Sequence, residues 1–358
     1  MPLRRGMRTV LIAVYLLLIT PIAGSSWTAG TQVITNPKMI CKKRSRLRGQ
    51  MEAICRDETL LEEIVKGVEM GTRECQHQFR NWRWNCTTNN KSLKKILMKD
   101  TREAGFVNAV TAAGVTFSVT RACTSGNLME CSCDKTTSKG LHRMARRPTD
   151  RSGTTLRESD WEWGGCSDYV NFGYRKSKAF MNFPYRRKSD MKTLVRLHNN
   201  DAGRLAVKNY MRTDCKCHGL SGSCTHRTCW RKMPPFREVG NRLKERYDGA
   251  AKVIPSNDGK SFIPDGETIK PPGRGDLVYS QASPDFCRYN RKSGSLGTHG
   301  RQCNATSIGV DGCELLCCGR GYDTEIVKEK VNCECRFRWC CEVTCKTCSQ
   351  KRTVLSCR

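Results

Sequence analysis

The chain has 358 residues, 27% of them charged, with 24 cysteines and a formal net charge of +29 at pH 7. That many cysteines persist as disulfides only in an oxidising compartment, which excludes an ordinary cytosolic protein. In such a compartment strong positive charge meets anionic cell surfaces and sulfated glycans, and nucleic acid is not the resident polyanion.

The N-terminus carries an export signal. Arg4, Arg5 and Arg8 precede an apolar run from Val10 to Ile19, and Ala23, Gly24, Ser25 and Ser26 follow. A basic flank, a short apolar stretch and a small-residue exit are the parts of a signal peptide, here residues 1–24. The run falls well short of the ~20 apolar residues that span a bilayer, and the sequence has no second one, so the mature chain is expected to be secreted to the extracellular space or matrix. Without the signal arginines the net charge is still +26. Clusters at Lys42-Lys43-Arg44, at Arg143 with Arg146-Arg147, and at Arg186-Arg187-Lys188 suit a sulfated glycosaminoglycan, with scattered solvated charge as the plainer alternative. The sequons Asn85-Cys86-Thr87 and Asn304-Ala305-Thr306 fit the same route as glycosylation sites.

Residues 25–253 are long enough to bury their own core and have the pattern of a mainly helical domain. Asp57 caps a helix with Leu61, Ile64, Val65 and Val68 at helical spacing. Thr101 or Asp100 opens a second, with Phe106, Val107, Val110, Ala113 and Phe117 inward. Ser189 or Asp190 opens a third, carrying Leu194, Leu197, Leu205 and Ala206, and Phe236, Val239, Leu243 and Tyr247 mark a fourth. These are core stripes, and none asks for a cofactor. Residues 134–160, dominated by Lys, Arg, Thr, Ser and Gly, have the composition of a long exposed loop. Five prolines make 254–285 an irregular linker. Twelve further cysteines then crowd between Cys287 and Cys357, so residues 286–358 form a small domain held by crosslinks. The expected fold class is α+β and disulfide-rich: a mainly helical N-terminal domain with a crosslinked hairpin arm, plus a cysteine-rich β-hairpin C-terminal domain.

Two nested cysteine sets are the sharpest features. In the hairpin 215–229, pairing Cys215–Cys229 and Cys217–Cys224 keeps an approximately antiparallel register around His218-Gly219-Leu220-Ser221-Gly222-Ser223. In the hairpin 333–348, Cys333–Cys348 and Cys335–Cys345 do the same, leaving Cys340 and Cys341 at the tip to bond each other. Facing strand positions supply the Cα separation of about 5.5 Å that disulfides need. A two-stranded arm is marginal in water, and each crosslink contributes about 2–4 kcal/mol. The first arm offers a polar, glycine-rich loop with one central hydroxyl, Ser221. The second offers Phe337 and Trp339, with Arg338 between them, beside Cys340–Cys341, an apolar tip suited to docking in a partner.

Other chemistries compete for these residues. A zinc site at the first set lacks the paired C-x2-C spacing. A nucleophilic Ser221 served by His218 or His226 lacks the full G-x-S-x-G elbow and its strand-to-helix setting. Cys340-Cys341 as a redox centre competes with a structural or binding tip. The sequence points to a binding protein, not an enzyme, with no metal and no cofactor. A ligand or inhibitor working through the second arm alone and a secreted hydrolase remain the rivals.

At these residues the chain resembles the Wnt family of lipid-modified signalling glycoproteins. The segments CKCHGLSGSCTHRTCW (Cys215 to Trp230), ECQHQFRNWRWNCT (Glu74 to Thr87), WEWGGCSD (Trp161 to Asp168), LHNNDAGR (Leu197 to Arg204), SPDFC (Ser283 to Cys287) and CRFRWCC (Cys335 to Cys341) are similar to that family's motifs and follow in order over nearly the whole mature chain. PPFREVG (Pro234 to Gly240) and IKPPGR (Ile269 to Arg274) look closest to the subfamily numbered six.

The resemblance implies a palmitoleoyl ester on Ser221 and no cofactor. It implies that Ser221 and the tip residues Phe337, Arg338, Trp339, Cys340 and Cys341 grip a Frizzled receptor's cysteine-rich domain from two sides. A low-density-lipoprotein-receptor-related co-receptor then joins, and β-catenin signalling follows in many cases. Further implied partners are the porcupine acyltransferase and the Wntless carrier during secretion, and heparan sulfate proteoglycans outside the cell. Family pairing adds Cys41–Cys55, Cys75–Cys86, Cys123–Cys131, Cys133–Cys166, Cys287–Cys318, Cys303–Cys313 and Cys317–Cys357, which with the hairpin bonds accounts for every cysteine. Arg338 stands where many relatives have histidine, and Glu342 where an apolar or aromatic residue is usual; both bear on receptor preference. Arg274-Gly275-Asp276 spells an integrin-type tripeptide that chance explains better.

Overall fold

The computed structural model describes residues 34, 36–42, 47–87, 89–134, 161–186, 188–219, 226–259, 261–266 and 270–358. The signal peptide, Lys43 and Arg44, the cluster around Arg143, Arg187, most of the loop expected over 134–160 and the centre of the first hairpin lie outside them.

The helices are α1 (Lys38–Cys41), α2 (Gln50–Arg56), α3 (Glu58–Gln78), α4 (Asn90–Leu97), α5 (Arg102–Thr124), α6 (Val170–Met181), α7 (Met191–Lys208), α8 (Phe236–Asp248) and α9 (Cys313–Leu316). The strands are β1 (Trp161–Trp163), β2 (Arg212–His218), β3 (His226–Lys232), β4 (Ala251–Pro255), β5 (Phe262–Pro264), β6 (Val278–Tyr279), β7 (Tyr289–Asn290), β8 (Ser295–Leu296), β9 (Gln302–Cys303), β10 (Tyr322–Arg338) and β11 (Glu342–Cys357). No helix among the described residues is long and apolar enough to cross a membrane.

Capping residues start the helices where side-chain chemistry asks them to. Asp57 Oδ1 accepts from Leu60 N at 2.9 Å to open α3. Thr101 Oγ1, rather than the neighbouring Asp100, accepts from Ala104 N to open α5. Helix α5 is buried along nearly its whole length, with α3, α6, α7 and α8 packed around it. Small residues make this possible. A Cβ on Gly114 would sit 2.2 Å from the Gly67 carbonyl oxygen of α3, and one on Gly203 of α7 would sit 1.9 Å from that of Ala109. The motif residue Phe79, just past α3, is an aromatic hub, with ring centroids 4.9 Å from Trp84, 4.9 Å from Phe106 and 4.8 Å from Tyr247. Such edge-on pairs add about 0.5–1.5 kcal/mol each beyond area burial.

Helix α7 departs from the expected stripe. Leu194, Leu197 and Leu205 are only half-buried, while Ala206 is buried together with Val195, Val207 and the polar Arg196, Asn199, Asn200 and Arg204. The reason is backbone docking. Asn199 Nδ2 donates to Val278 O at 2.8 Å and its Oδ1 accepts from Val278 N at 2.9 Å, so one side chain mimics a strand neighbour. His198 Nε2 lies 2.9 Å from Asp276 O. Polar side chains that satisfy a buried backbone outrank leucines on the inner face.

That docking also organises the segment expected to be irregular. Within 254–285 the chain forms β5 and β6, which flank β4 in a three-stranded sheet of order β5-β4-β6. The integrin-type tripeptide is tied inward: Arg274 pairs with Asp201 at 3.0 Å and Asp276 with Arg246 at 2.5 Å.

The cysteine-rich region has a small core of Cys313, Leu316, Cys317 and Cys357, with Cys303 and Leu355 against it. The sulfurs of Cys303, Cys317 and Cys357 lie within 4.8 Å of one another, yet they belong to the disulfides Cys303–Cys313 and Cys317–Cys357, which leaves no thiolate for a metal. Arg301 stitches this region to the helices by donating to the carbonyls of Arg80, Trp82 and Arg83 at 3.1, 2.6 and 2.7 Å.

Candidate binding arms

Disulfides join Cys41–Cys55, Cys75–Cys86, Cys123–Cys131, Cys133–Cys166, Cys287–Cys318, Cys303–Cys313 and Cys317–Cys357, and in the arms Cys215–Cys229, Cys333–Cys348 and Cys335–Cys345. Cys217 is also disulfide-bonded. Cys224, its expected partner, lies outside the described residues, as does Ser221.

The first arm is β2 paired antiparallel with β3, from Arg212↔Lys232 to His218↔His226, and β1 joins β3 in parallel. Cys215 and Cys229 face each other directly, with Cα atoms 4.0 Å apart. Asp168 clamps the root: Oδ1 accepts from the Thr124 hydroxyl at the end of α5, and Oδ2 from Met233 N just beyond β3, both at 2.7 Å. Ser167 Oγ accepts from Arg231 N at 3.0 Å. The WEWGGCSD motif therefore fixes the arm to the helical body. His218 Nε2 lies 3.1 Å from Thr228 Oγ1, across the two strands.

The second arm is far longer than the expected hairpin 333–348. Strands of 17 and 16 residues pair from Tyr322↔Cys357 to Arg338↔Glu342, roughly 55 Å at about 3.3 Å per residue. A bulge lies between Cys333 and Arg336, with Glu334 at φ +47°. Cys335–Cys345 bridges the bulge with Cα atoms 4.0 Å apart, and Cys333–Cys348 spans the ladder diagonally at 5.8 Å. Most residues of both strands are exposed.

At the tip Trp339 is 93% exposed, Phe337 68% and Val343 61%. Phe337 and Val343 are cross-strand partners, so they extend the Trp339 apolar surface together. Val343 escaped the sequence reading, although counting back from the tip places it opposite Phe337. Arg338 and Glu342 form the last pair of the ladder. The predicted Cys340–Cys341 bond is corrected here: both thiols are free and exposed. Both residues have φ +80° in the turn that closes the ladder. Consecutive Cα atoms stand about 3.8 Å apart across a trans peptide, below the span of about 4.4–6.8 Å that a disulfide ordinarily bridges.

Of the two sequons, Asn304 is exposed and accepts from the Thr306 hydroxyl at 2.8 Å, whereas Asn85 is half-buried between buried Trp84 and Cys86.

Comparison with known proteins bears on both arms. A profile of the Wnt family matches residues 43–358. Protein Wnt-6 of Mus musculus is 46% identical over 355 residues, covering 97% of this chain and 98% of its own. Protein Wnt-6 of Homo sapiens is 47% identical over 351 residues, covering 96% of each. A chain in the solved structure of human WLS in complex with WNT8A superposes with a TM-score of 0.61 at 33% identity, covering 90% of this chain and 99% of that one.

Proposed function

This chain belongs to the Wnt family of signalling ligands, and from that premise we propose that it is a secreted ligand that grips Frizzled cysteine-rich domains with two arms. The observation that carries the proposal is the second arm's tip, where Phe337, Trp339 and Val343 stand in water at the end of a crosslinked ribbon. Exposed apolar groups on a rigid support lose little freedom on binding, and buried aromatics dominate interface energies.

The first arm presents Ser221 for palmitoleoylation by the porcupine acyltransferase. At about 0.8 kcal/mol per buried methylene, such a chain has a gross transfer energy near 10 kcal/mol, an upper bound that makes it the dominant contact. The same term requires a carrier during export, and similarity to a chain from the WLS–WNT8A complex supports Wntless in that role. Engagement of a low-density-lipoprotein-receptor-related co-receptor beside Frizzled completes the signalling assembly.

The test begins with mass spectrometry of the Ser221 fragment from secreted protein, where a palmitoleoyl ester is expected. Binding to an immobilised Frizzled cysteine-rich domain should be abolished by Ser221→Ala. Trp339→Ala should weaken it by about 2 kcal/mol or more, some thirtyfold, with the ester intact. An unmodified Ser221 in protein that still binds would leave a ligand working through the second arm alone. Loss of secretion in Trp339→Ala would make that residue structural.

A further inference from the structure

A cluster of uncompensated charge lies on neither arm. Helix α4 presents Lys91, Lys94 and Lys95 on one side, and Lys99 follows it. Like charges at i,i+3 and i,i+4 cost about 0.2–0.5 kcal/mol per pair. Lys91 also stands in the first helical turn, where the dipole disfavours a cation and no acidic residue compensates. Lys94 and Lys95 gain from the dipole of the last turn, so it is Lys91 and the like-charge pairs that work against the helix.

The β7–β8 hairpin packs against the same side of α4. Ser92 Oγ donates to the Gly294 carbonyl and Lys95 Nζ to that of Arg291. The hairpin adds exposed Arg288, Arg291 and Lys292. None of these seven cations forms an ion pair among the described residues. Asp285, the nearby exposed acid, is occupied in accepting from Cys287 N at 3.1 Å.

Between helix and hairpin runs a groove of about 140 Å³, lined by Asn89, Lys91, Ser92, Lys95, Tyr289 and Arg291 among others. Pockets for compact ligands are usually about 300 Å³ or larger, so this groove suits one unit of a linear ligand. Tyr289, 69% exposed, and its cross-strand partner Leu296, 44% exposed, offer a flat apolar face beside the cations. Cations around a groove and an exposed aromatic ring beside it match a chain of sugar rings bearing sulfate and carboxylate groups.

We propose that the groove between α4 and the β7–β8 hairpin is a docking site for a sulfated glycosaminoglycan strand, on a surface separate from both arms. A membrane fits less well, because a bilayer is not a thread for a groove and anionic lipid is concentrated on the cytoplasmic leaflet. The site does not depend on the receptor reading.

The test uses full-length secreted protein and immobilised heparin near physiological salt. The variant Lys91→Ala/Lys94→Ala/Arg288→Ala/Arg291→Ala should bind at least about tenfold more weakly, equivalent to about 1.4 kcal/mol, and depend less on salt. A charge-matched control, Lys328→Ala/Lys330→Ala/Lys351→Ala/Arg352→Ala on the second arm, should keep most of the affinity. Equal losses in the two variants would show that net charge alone is read, and sink the proposal; so would unchanged heparin binding. Loss of binding to phosphatidylserine vesicles without loss on heparin would make the occupant a membrane and overturn it too. Should the quadruple variant not be secreted, Lys91→Glu at the exposed edge of the groove is expected to give a smaller loss in the same direction, and no loss there overturns the site.

Discussion

Helix α5 is enclosed by four neighbouring helices, whereas the β10–β11 ribbon leaves most of its residues in water on both faces. The helical body gains stability from close packing, down to glycines that let backbones touch. The ribbon has almost no core, and its order depends on hydrogen-bonded pairing, two crosslinks and a small disulfide cluster at its root. The difference teaches where each region tolerates change. In the body volume is critical and surface chemistry is not; in the ribbon the reverse holds, which frees its side chains for a partner.

The largest expected effect is in the body. Gly203→Ala forces a Cβ to within 1.9 Å of the Ala109 oxygen, and should cost about 3 kcal/mol or more, read as lost secretion or a lowered thermal midpoint. A well-secreted variant with unchanged melting would show that α7 can move off α5.

Next comes the ribbon. Cys335→Ser/Cys345→Ser should loosen the tip by about 2–4 kcal/mol. Hydrogen exchange should rise in β10 and β11 near the bulge while α3 and α5 keep their protection. Faster exchange in α5 would break the comparison, because the two regions would then unfold together.

A pH dependence sharpens the body's side of it. Burial lifts Asp100 from 3.8 to about 6, against the pull of Arg196, whose Nε stands 3.4 Å from Oδ1. A folded-state value above the unfolded one favours the protonated form in the fold. The stabilisation from Asp100 is therefore fully present below about pH 4 and lost as pH rises through about 6, on the order of 3 kcal/mol in all. Thermal melts should show the native chain losing more stability between about pH 5 and pH 7 than Asp100→Asn does; parallel curves would refute the assignment.

The smallest effect is Trp339→Ala on stability. A side chain 93% exposed should leave the thermal midpoint within about 0.5 kcal/mol of the native value even as receptor binding falls. A marked destabilisation would mean that the tip supports the ribbon.

Much of this was legible in the residues. Asp57 and Thr101 mark helix starts because a side-chain oxygen before an apolar periodic run has one obvious use. Nested cysteine spacings give the arm crosslinks because an antiparallel ladder fixes which positions face each other. The face of α7 was not legible, since Asn199 is buried, and half-buried His198 held, by a backbone segment some eighty positions away in the chain. The ribbon's length was hidden for a similar reason. Residues 322–332 are largely polar and charged, which composition assigns to irregular chain, while a continuous partner strand makes them β. At Cys340-Cys341 adjacency suggested a bond that the turn geometry does not form.

A strip fixed at one end and free at the other behaves as a lever. The root of the ribbon is held by Cys317–Cys357 and by Arg358 Nε on Asp323 at 2.5 Å, and the tip lies roughly 55 Å beyond. A swing of about five degrees at that hinge would carry Trp339 through roughly 5 Å, about one strand spacing. Aim is thus set at the root, and substitutions at Asp323 or Arg358 should redirect the tip as readily as changes beside Trp339.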